Sequence, residues 1–141
     1  RMRAEDAVYG GEMSAHHYFK DFAYCDNGTI PWLLITEMMS VQGVGLSQLI
    51  GERTELFPCS GEINRTVKDA AAIIAKIEQA FAADAIAVER VDGLSVIYDD
   101  WRFNLRSSST EPLLRLNVES RNNRELMQQK TEELLAIIDA D

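Results

Sequence analysis

The chain has 141 residues, 46% of them apolar, which suits a globular protein and excludes a disordered tail. Its formal net charge of −9 argues against a nucleic-acid groove or an anionic membrane surface as partner. No apolar run approaches the ~20 residues needed to span a bilayer, and the opening residues lack the pattern of a secretory signal. The first residue is Arg1 rather than Met, so the expectation is a piece of a longer chain. The length fits one domain and is marginal for two. Cys25 and Cys59 lack metal-ligand spacing and read as two free thiols of a cytoplasmic protein, although sequence alone leaves a disulfide open.

In chain order, the first informative stretch is Tyr9-Gly10-Gly11-Glu12-Met13-Ser14-Ala15-His16-His17-Tyr18-Phe19. Paired glycines permit backbone angles or close approaches denied to other residues. Glu12, Ser14 and His16 follow at alternate positions, and in an extended segment they would share one side. A carboxylate, a hydroxyl and an imidazole together can accept from and donate to the hydroxyls of a sugar. A plain polar loop with both histidines exposed fits the same residues. A zinc site is poor, because adjacent histidines face opposite ways in a strand and no third ligand is evident.

Asp26-Asn27-Gly28 signals a turn. Leu33, Leu34, Met38 and Val41 then recur at helical spacing, with Pro31 suited to the first turn. Met38 and Met39 read as core filler. Gly43-Val44-Gly45 ends this helix, and Leu46 to Ile50 reads as a short second one stopped by Gly51. The aperiodic stretch from Glu52 to Gly61 suggests a boundary or linker around Arg53 to Glu55.

Beyond it, Ile63, Arg65 and Val67 share one face of a strand. Asp69 can cap a helix over 70–82 whose apolar face is Ile73, Ile74, Ile77 and Phe81. Ile86 and Val88 alternate, Asp92-Gly93 signals a tight hairpin, and Leu94, Val96 and Tyr98 alternate again. Trp101, Phe103 and Leu105 alternate with Arg102, Asn104 and Arg106. After a polar loop, Leu114, Leu116 and Val118 alternate with Arg115, Asn117 and Glu119. Asn122 or Asn123 can cap a final helix with Met127, Leu134 and Ile138 on one face. The expected unit is α+β, with four amphipathic strands in hairpins and two helices on one face of the sheet.

The polar loop, Leu105-Arg106-Ser107-Ser108-Ser109-Thr110-Glu111-Pro112, has one guanidinium and four consecutive hydroxyls. An Arg fork matches phosphate or carboxylate oxygens two at a time. Hydroxyls and exposed backbone N–H groups can supply further bonds, as in anion-binding nests. In so acidic a chain, anion binding must be local. A turn whose hydroxyls satisfy its own backbone is the competing reading.

Taken together, the two loops carry a resemblance. Tyr9-Gly10-Gly11-Glu12-Met13-Ser14-Ala15-His16 resembles the sugar-binding loop of the α-D-phosphohexomutases, and Arg106-Ser107-Ser108-Ser109-Thr110-Glu111-Pro112 resembles their phosphate-binding loop. They stand in the family's order and at its approximate separation. Ala23-Tyr24-Cys25-Asp26, Ser60-Gly61-Glu62-Ile63-Asn64 and Leu116-Asn117-Val118-Glu119-Ser120-Arg121 are similar to segments in the C-terminal third of bacterial phosphomannomutases. The similarity covers essentially the whole chain.

That resemblance implies an organisation and a chemistry. Residues 1–54 would be the end of the family's third, α/β domain. Residues 55–141 would be its fourth, with a TATA-binding-protein-like fold of a four-stranded antiparallel sheet and two helices. Glu12, Ser14 and His16 would hold sugar hydroxyls; Arg106, Ser108, Ser109 and Thr110 would hold the phosphate not being transferred. The family moves phosphate between the 1 and 6 positions of a hexose through a phosphoserine, Mg2+ and a hexose 1,6-bisphosphate intermediate. The phosphoserine and metal loops belong to N-terminal domains absent from this chain, so the piece itself would carry no catalytic or metal residue. Met13 points to the phosphomannomutase or dual-specificity branch, and so to mannose 6-phosphate, mannose 1-phosphate and GDP-mannose synthesis. A hexose phosphate and the missing domains would be its partners, with no nucleic acid or membrane involved.

Two residues depart from the family pattern. Ala15 stands where many members have Gly, so either its methyl restricts the loop or the backbone needs no positive φ. Ser109 stands where Asn or Gly is common; it keeps a hydroxyl but tolerates left-handed geometry less. A free-standing sugar-phosphate-binding module and a bland α+β interaction domain are the competing readings of the whole chain.

Overall fold

A computed structural model describes residues 1–12, 15–108 and 110–140. Met13, Ser14 and Ser109 lie outside the described residues, and with them the readings made of those positions. The chain divides into two compact units, Arg1–Leu49 and Ile50–Asp141.

The first unit opens with three short antiparallel strands in the order β1-β2-β3: β1 (Tyr9–Gly11), β2 (His17–Phe19) and β3 (Cys25–Asp26). Asn27 starts the following helix, its side-chain oxygen accepting from the N–H groups of Thr29 and Ile30, both at 2.9 Å. These are donors that a helix start leaves unsatisfied. The helix α1 (Thr29–Gln42) ends at Gly43, whose φ of 66° is the left-handed cap that glycine adopts without a Cβ clash.

Two expectations fail in this stretch. Met38 does not fill a core: it is 47% exposed, because no residue of this unit among those described is buried. Gly51 does not stop the second helix. α2 (Leu46–Leu56) runs through it, and the segment from Arg53 to Glu55 is helical rather than an irregular linker. A single interior glycine costs a helix only about 1 kcal/mol, and Glu52-Arg53-Thr54-Glu55 offers no proline or turn signal to end it. Among the described residues no single helix is long and apolar enough to cross a membrane; α1 and α2 meet that test only as a pair bent by 97°.

The second unit is a five-stranded antiparallel sheet with two helices. Its strands are β4 (Ile63–Thr66), β5 (Ala87–Glu89), β6 (Leu94–Ile97), β7 (Trp101–Ser107) and β8 (Leu113–Ser120), in the order β4-β8-β7-β6-β5. The α+β class is as expected, with one strand more than the four anticipated. The fifth is the short edge β5, which holds Val88 and begins one residue after Ile86. The helices are α3 (Ala70–Phe81) and α4 (Arg124–Ile138). Asp69 caps α3 by accepting from Ala72 N–H at 3.0 Å, and Asn123 caps α4 through Leu126 N–H at 2.9 Å.

Alternation decides which face each strand residue takes. Leu94, Val96, Trp101, Phe103, Leu105, Leu114, Leu116 and Val118 form a core with Ile73, Ile77 and Phe81 of α3 and Met127, Leu134 and Ile138 of α4. Each such side chain contributes about 1.5–3 kcal/mol by leaving water. The residues between them put polar pairs on the other face, where the register sets Arg102 opposite Glu119, Asn104 opposite Asn117 and Arg106 opposite Arg115. This rigid sheet carries the loop of interest between β7 and β8.

Candidate functional site

The β7–β8 connection is pinned at both ends. Ser108 N–H donates to Leu113 O at 2.9 Å, and Val67 N–H donates to Pro112 O at 3.1 Å. Within it, Ser108 Oγ accepts from the N–H groups of Thr110 and Glu111, both at 3.3 Å, and lies 3.4 Å from Thr110 Oγ1. Ser108 therefore serves the turn's own backbone, as the competing reading anticipated, through long bonds that an acceptor of higher charge could replace.

Asp92, Arg106, Ser107, Ser108, Thr110 and Arg115 line a pocket of about 360 Å³ beside this turn. Three of the four proposed phosphate-holding residues, Arg106, Ser108 and Thr110, thus share one wall. The fourth, Ser109, lies outside the described residues. Sequence reasoning missed Arg115 and Asp92. Arg115 stands directly across the ladder from Arg106. Two guanidiniums facing each other on adjacent strands repel unless anions lie between them.

Those anions are present. Glu62 bridges the pair: Oε2 accepts from Arg106 Nη2 at 3.3 Å and Oε1 from Arg115 Nη1 at 3.3 Å. Asp92 Oδ2 accepts from Arg106 Nη1 at 3.1 Å. Asp92 is held over Arg106 by its own turn. Asn104 Nδ2 donates to Asp92 O at 2.8 Å and to Ser95 Oγ at 3.0 Å. Gly93 follows with φ 76°, and a Cβ there would lie 2.6 Å from both Leu105 O and Arg106 Cβ. Only glycine fits that turn so close to β7. Arg115 Nε is buried and lacks a hydrogen-bond partner among the described residues. Buried donors are normally satisfied, so this guanidinium still has bonding capacity.

In the first unit, Glu12 and His16 lie in the connection between β1 and β2 and are drawn together by backbone hydrogen bonds. Glu12 N–H donates to His16 O at 3.0 Å and Ala15 N–H to Glu12 O at 3.0 Å. Ala15 has φ 63°, so the backbone does take the left-handed form there despite the methyl. The alternate-residue geometry anticipated for Glu12, Ser14 and His16 includes Ser14, so it lies outside the described residues.

Glu12 and His16 are nonetheless both anchored to the small sheet. Tyr18 Oη donates to Glu12 Oε1 at 2.8 Å, and His16 Nδ1 lies 2.8 Å from Asp26 Oδ2. Asp26 Oδ1 also accepts from His17 N–H at 2.9 Å. His17 turns instead to Tyr9, whose Oη is 2.7 Å from its Nδ1. Tyr18 and Asp26 were not singled out as site residues, because their pairing across β2 and β3 depends on register. The hydrogen bond to Asp26, reinforced by its charge, raises the His16 pKa above its ordinary 6.5. The same bond, and that from His17 N–H, hold Asp26 below its ordinary 3.8. The bond to Glu12 raises the Tyr18 pKa and keeps the phenol a donor.

Both cysteines are exposed and unpaired. Among the described residues no group of three or more His, Cys, Asp or Glu side chains could hold a metal ion.

Comparison with known proteins bears on both halves. Residues 1–57 match "Phosphoglucomutase/phosphomannomutase, alpha/beta/alpha domain III", and residues 62–136 match "Phosphoglucomutase/phosphomannomutase, C-terminal domain". A phosphomannomutase from Salmonella montevideo is 57% identical over 140 residues, which is 99% of this chain and 31% of that protein. One from Vibrio cholerae is 57% identical over 139 residues, 98% of this chain and 30% of that protein. A Xanthomonas campestris protein described as a phosphohexose mutase is 53% identical over 134 residues, 95% of this chain and 30% of that one. The crystal structure of a phosphoglucomutase/phosphomannomutase family protein from Burkholderia thailandensis superposes with a TM-score of 0.70 at 25% identity, covering 99% of this chain and 29% of that one. The chain thus spans about 30% of the length of the relatives it matches.

Proposed function

The chain belongs to the phosphoglucomutase/phosphomannomutase family, and from that premise we propose that it is the substrate-anchoring part of a phosphomannomutase. The parent would interconvert mannose 6-phosphate and mannose 1-phosphate through a phosphoserine and a bound hexose 1,6-bisphosphate, supplying mannose 1-phosphate for GDP-mannose synthesis in the cytoplasm. Residues 1–54 would belong to the third domain and residues 55–141 to the fourth. The chain would carry no nucleophile of its own.

The observation that carries this reading is the pocket in which Arg106, Arg115, Ser108 and Thr110 converge. Two guanidiniums and two hydroxyls suit a phosphate monoester, whose dianion can take several charge-assisted bonds at once. Ser109 would add a hydroxyl from the same loop. Such an anchor holds one end of the substrate while the other end reacts, which is catalysis by positioning. It binds either phosphate of a bisphosphate equally well, so the intermediate can present each end in turn. Glu12, Ser14 and His16 would select the sugar by hydrogen bonds to its hydroxyls.

Magnesium would neutralise charge on the transferring phosphoryl group in the parent. The residues described here do not fit that ion, so its ligands would lie in the parent's other domains. Those domains, matched by none of this chain, would also be its principal partners. They would cover the apolar side chains that α1 exposes, including Trp32, Leu33 and Met38.

A second reading is a dual phosphomannomutase and phosphoglucomutase, favoured by the phosphohexose mutase among the relatives. Dissociation constants for mannose 6-phosphate, glucose 6-phosphate and inorganic phosphate test both. Arg106→Ala should weaken all three by roughly 1.5–3 kcal/mol, the worth of a charge-assisted hydrogen bond. Glu12→Gln should weaken the sugar phosphates and spare inorganic phosphate. Unchanged affinity in Arg106→Ala would remove the phosphate anchor, and equal affinity for the two hexose phosphates would favour the dual enzyme.

A further inference from the structure

Arg106 is touched by two carboxylates that differ in exposure, in partners and in their place relative to the pocket. Glu62 comes from the residue before β4, is 27% exposed at its side chain, and gives one oxygen to each guanidinium of the Arg106–Arg115 pair. It is not part of the pocket wall. Asp92 comes from the turn before β6, is 75% exposed at its side chain, bonds through its carboxylate to Arg106 alone among the described residues, and does form part of that wall.

We propose that these two carboxylates do opposite jobs. Glu62 is a positioning residue, which holds Arg106 and Arg115 abreast from outside the pocket. Asp92 is a built-in stand-in for the ligand, which an incoming phosphate displaces from Arg106 Nη1. The proposal rests on the phosphate reading above and adds to it a division of labour among groups that carry negative charge and so at first sight only oppose an anion.

Charge alone predicts the same outcome for both residues. Removing either carboxylate makes the pocket more positive, so phosphate should bind more tightly in both cases. Geometry reverses that for Glu62. Without the bridge, two like charges directly opposite on adjacent strands push apart, and long flexible side chains lose the arrangement that a bidentate ligand needs. Asp92 has little to lose on release. Its carboxylate is mostly solvated, so exchanging Arg106 for water costs only what an exposed ion pair is worth.

Inorganic phosphate titrated into the 141-residue chain, followed at backbone amides, separates these cases. Asp92→Asn should tighten binding roughly two- to fivefold, in line with the loss of an exposed ion pair. Glu62→Gln should weaken it roughly tenfold, in line with a lost charge-assisted bond. Glu62→Asp keeps the charge but shortens the reach, so weakening there reports geometry rather than charge. Amide shifts of β4 and β8 in the unliganded variants verify that the sheet is intact. Tightening by Glu62→Gln, or no change in Glu62→Asp, would overturn the positioning role. Weakening or no change in Asp92→Asn would overturn the displacement role. A wild-type chain that ignores phosphate, or one in which Arg106→Ala changes nothing, would instead remove the phosphate reading, and this proposal with it.

Discussion

The unit formed by residues 50–141 closes around apolar side chains from five of its elements, the edge strands β4 and β5 excepted, whereas none of the described residues of 1–49 is buried. The first 49 residues are organised by local hydrogen bonds: a helix cap at Asn27 and the pairs Glu12–Tyr18 and His16–Asp26. A sheet with a closed core can hold side chains to a fraction of an ångström, and it carries the residues proposed to grip phosphate. Polar contacts at the surface are individually weak, and they support the residues proposed to select the sugar. The difference teaches that the residues proposed to grip phosphate rest on a core within their own unit, while those proposed to select the sugar rest on surface hydrogen bonds.

Core substitutions sharpen that contrast most. Phe103→Ala should cost about 3–5 kcal/mol, because it removes a fully buried ring that packs on Trp101 and Phe81. Leu34→Ala in exposed α1 should cost less than about 1 kcal/mol. Denaturant unfolding of both variants measures it, and equal losses would break the distinction.

A smaller effect is expected in the β1–β2 connection. Ala15 takes a left-handed φ that costs a residue with a Cβ about 1 kcal/mol. Ala15→Gly should recover part of that, offset by the greater freedom of glycine in the unfolded chain. Amide hydrogen exchange in β1 and β2 is the readout: slower exchange fits a relieved backbone, and faster exchange would mean the methyl is not a burden.

The smallest effect concerns pH. His16 is held above its ordinary pKa and Asp26 below its own by the bond between them. The stabilisation from His16 is complete below pH 6.5 and is lost as pH rises through its raised value. That from Asp26 is complete above 3.8 and is lost as pH falls through its depressed value. The pair therefore supports the hairpin between those limits. An NMR titration should place the His16 midpoint above 6.5 and return it toward 6.5 in Asp26→Asn; an unmoved midpoint would separate the two residues.

The second unit was legible because alternation and capping are local. Phe103 and Leu105 had to face one way and Arg102, Asn104 and Arg106 the other, and Asp69 and Asn123 announced their helices. Gly51 misled because a glycine inside a helix is a modest penalty, not a stop. The candidate site was legible at Arg106, Ser108 and Thr110 and not at Arg115, Asp92 or Glu62. Arg115 reaches the pocket through strand register, and Asp92 and Glu62 meet Arg106 from just outside the strands β6 and β4, contacts that sequence shows only indirectly. Pairing Ser107 with Leu114 across the loop would have set Arg115 opposite Arg106, so a signal did exist for that residue. Glu62 carries no such signal, since it meets both arginines from the residue before β4, far away in sequence.

The most direct measurement is an amide-resolved titration of the chain with mannose 6-phosphate, repeated with Arg106→Ala. Shifts should concentrate between Arg106 and Glu111 and vanish in the variant. Shifts that survive the substitution, or that fall away from this loop, would contradict the phosphate anchor on which the functional reading stands.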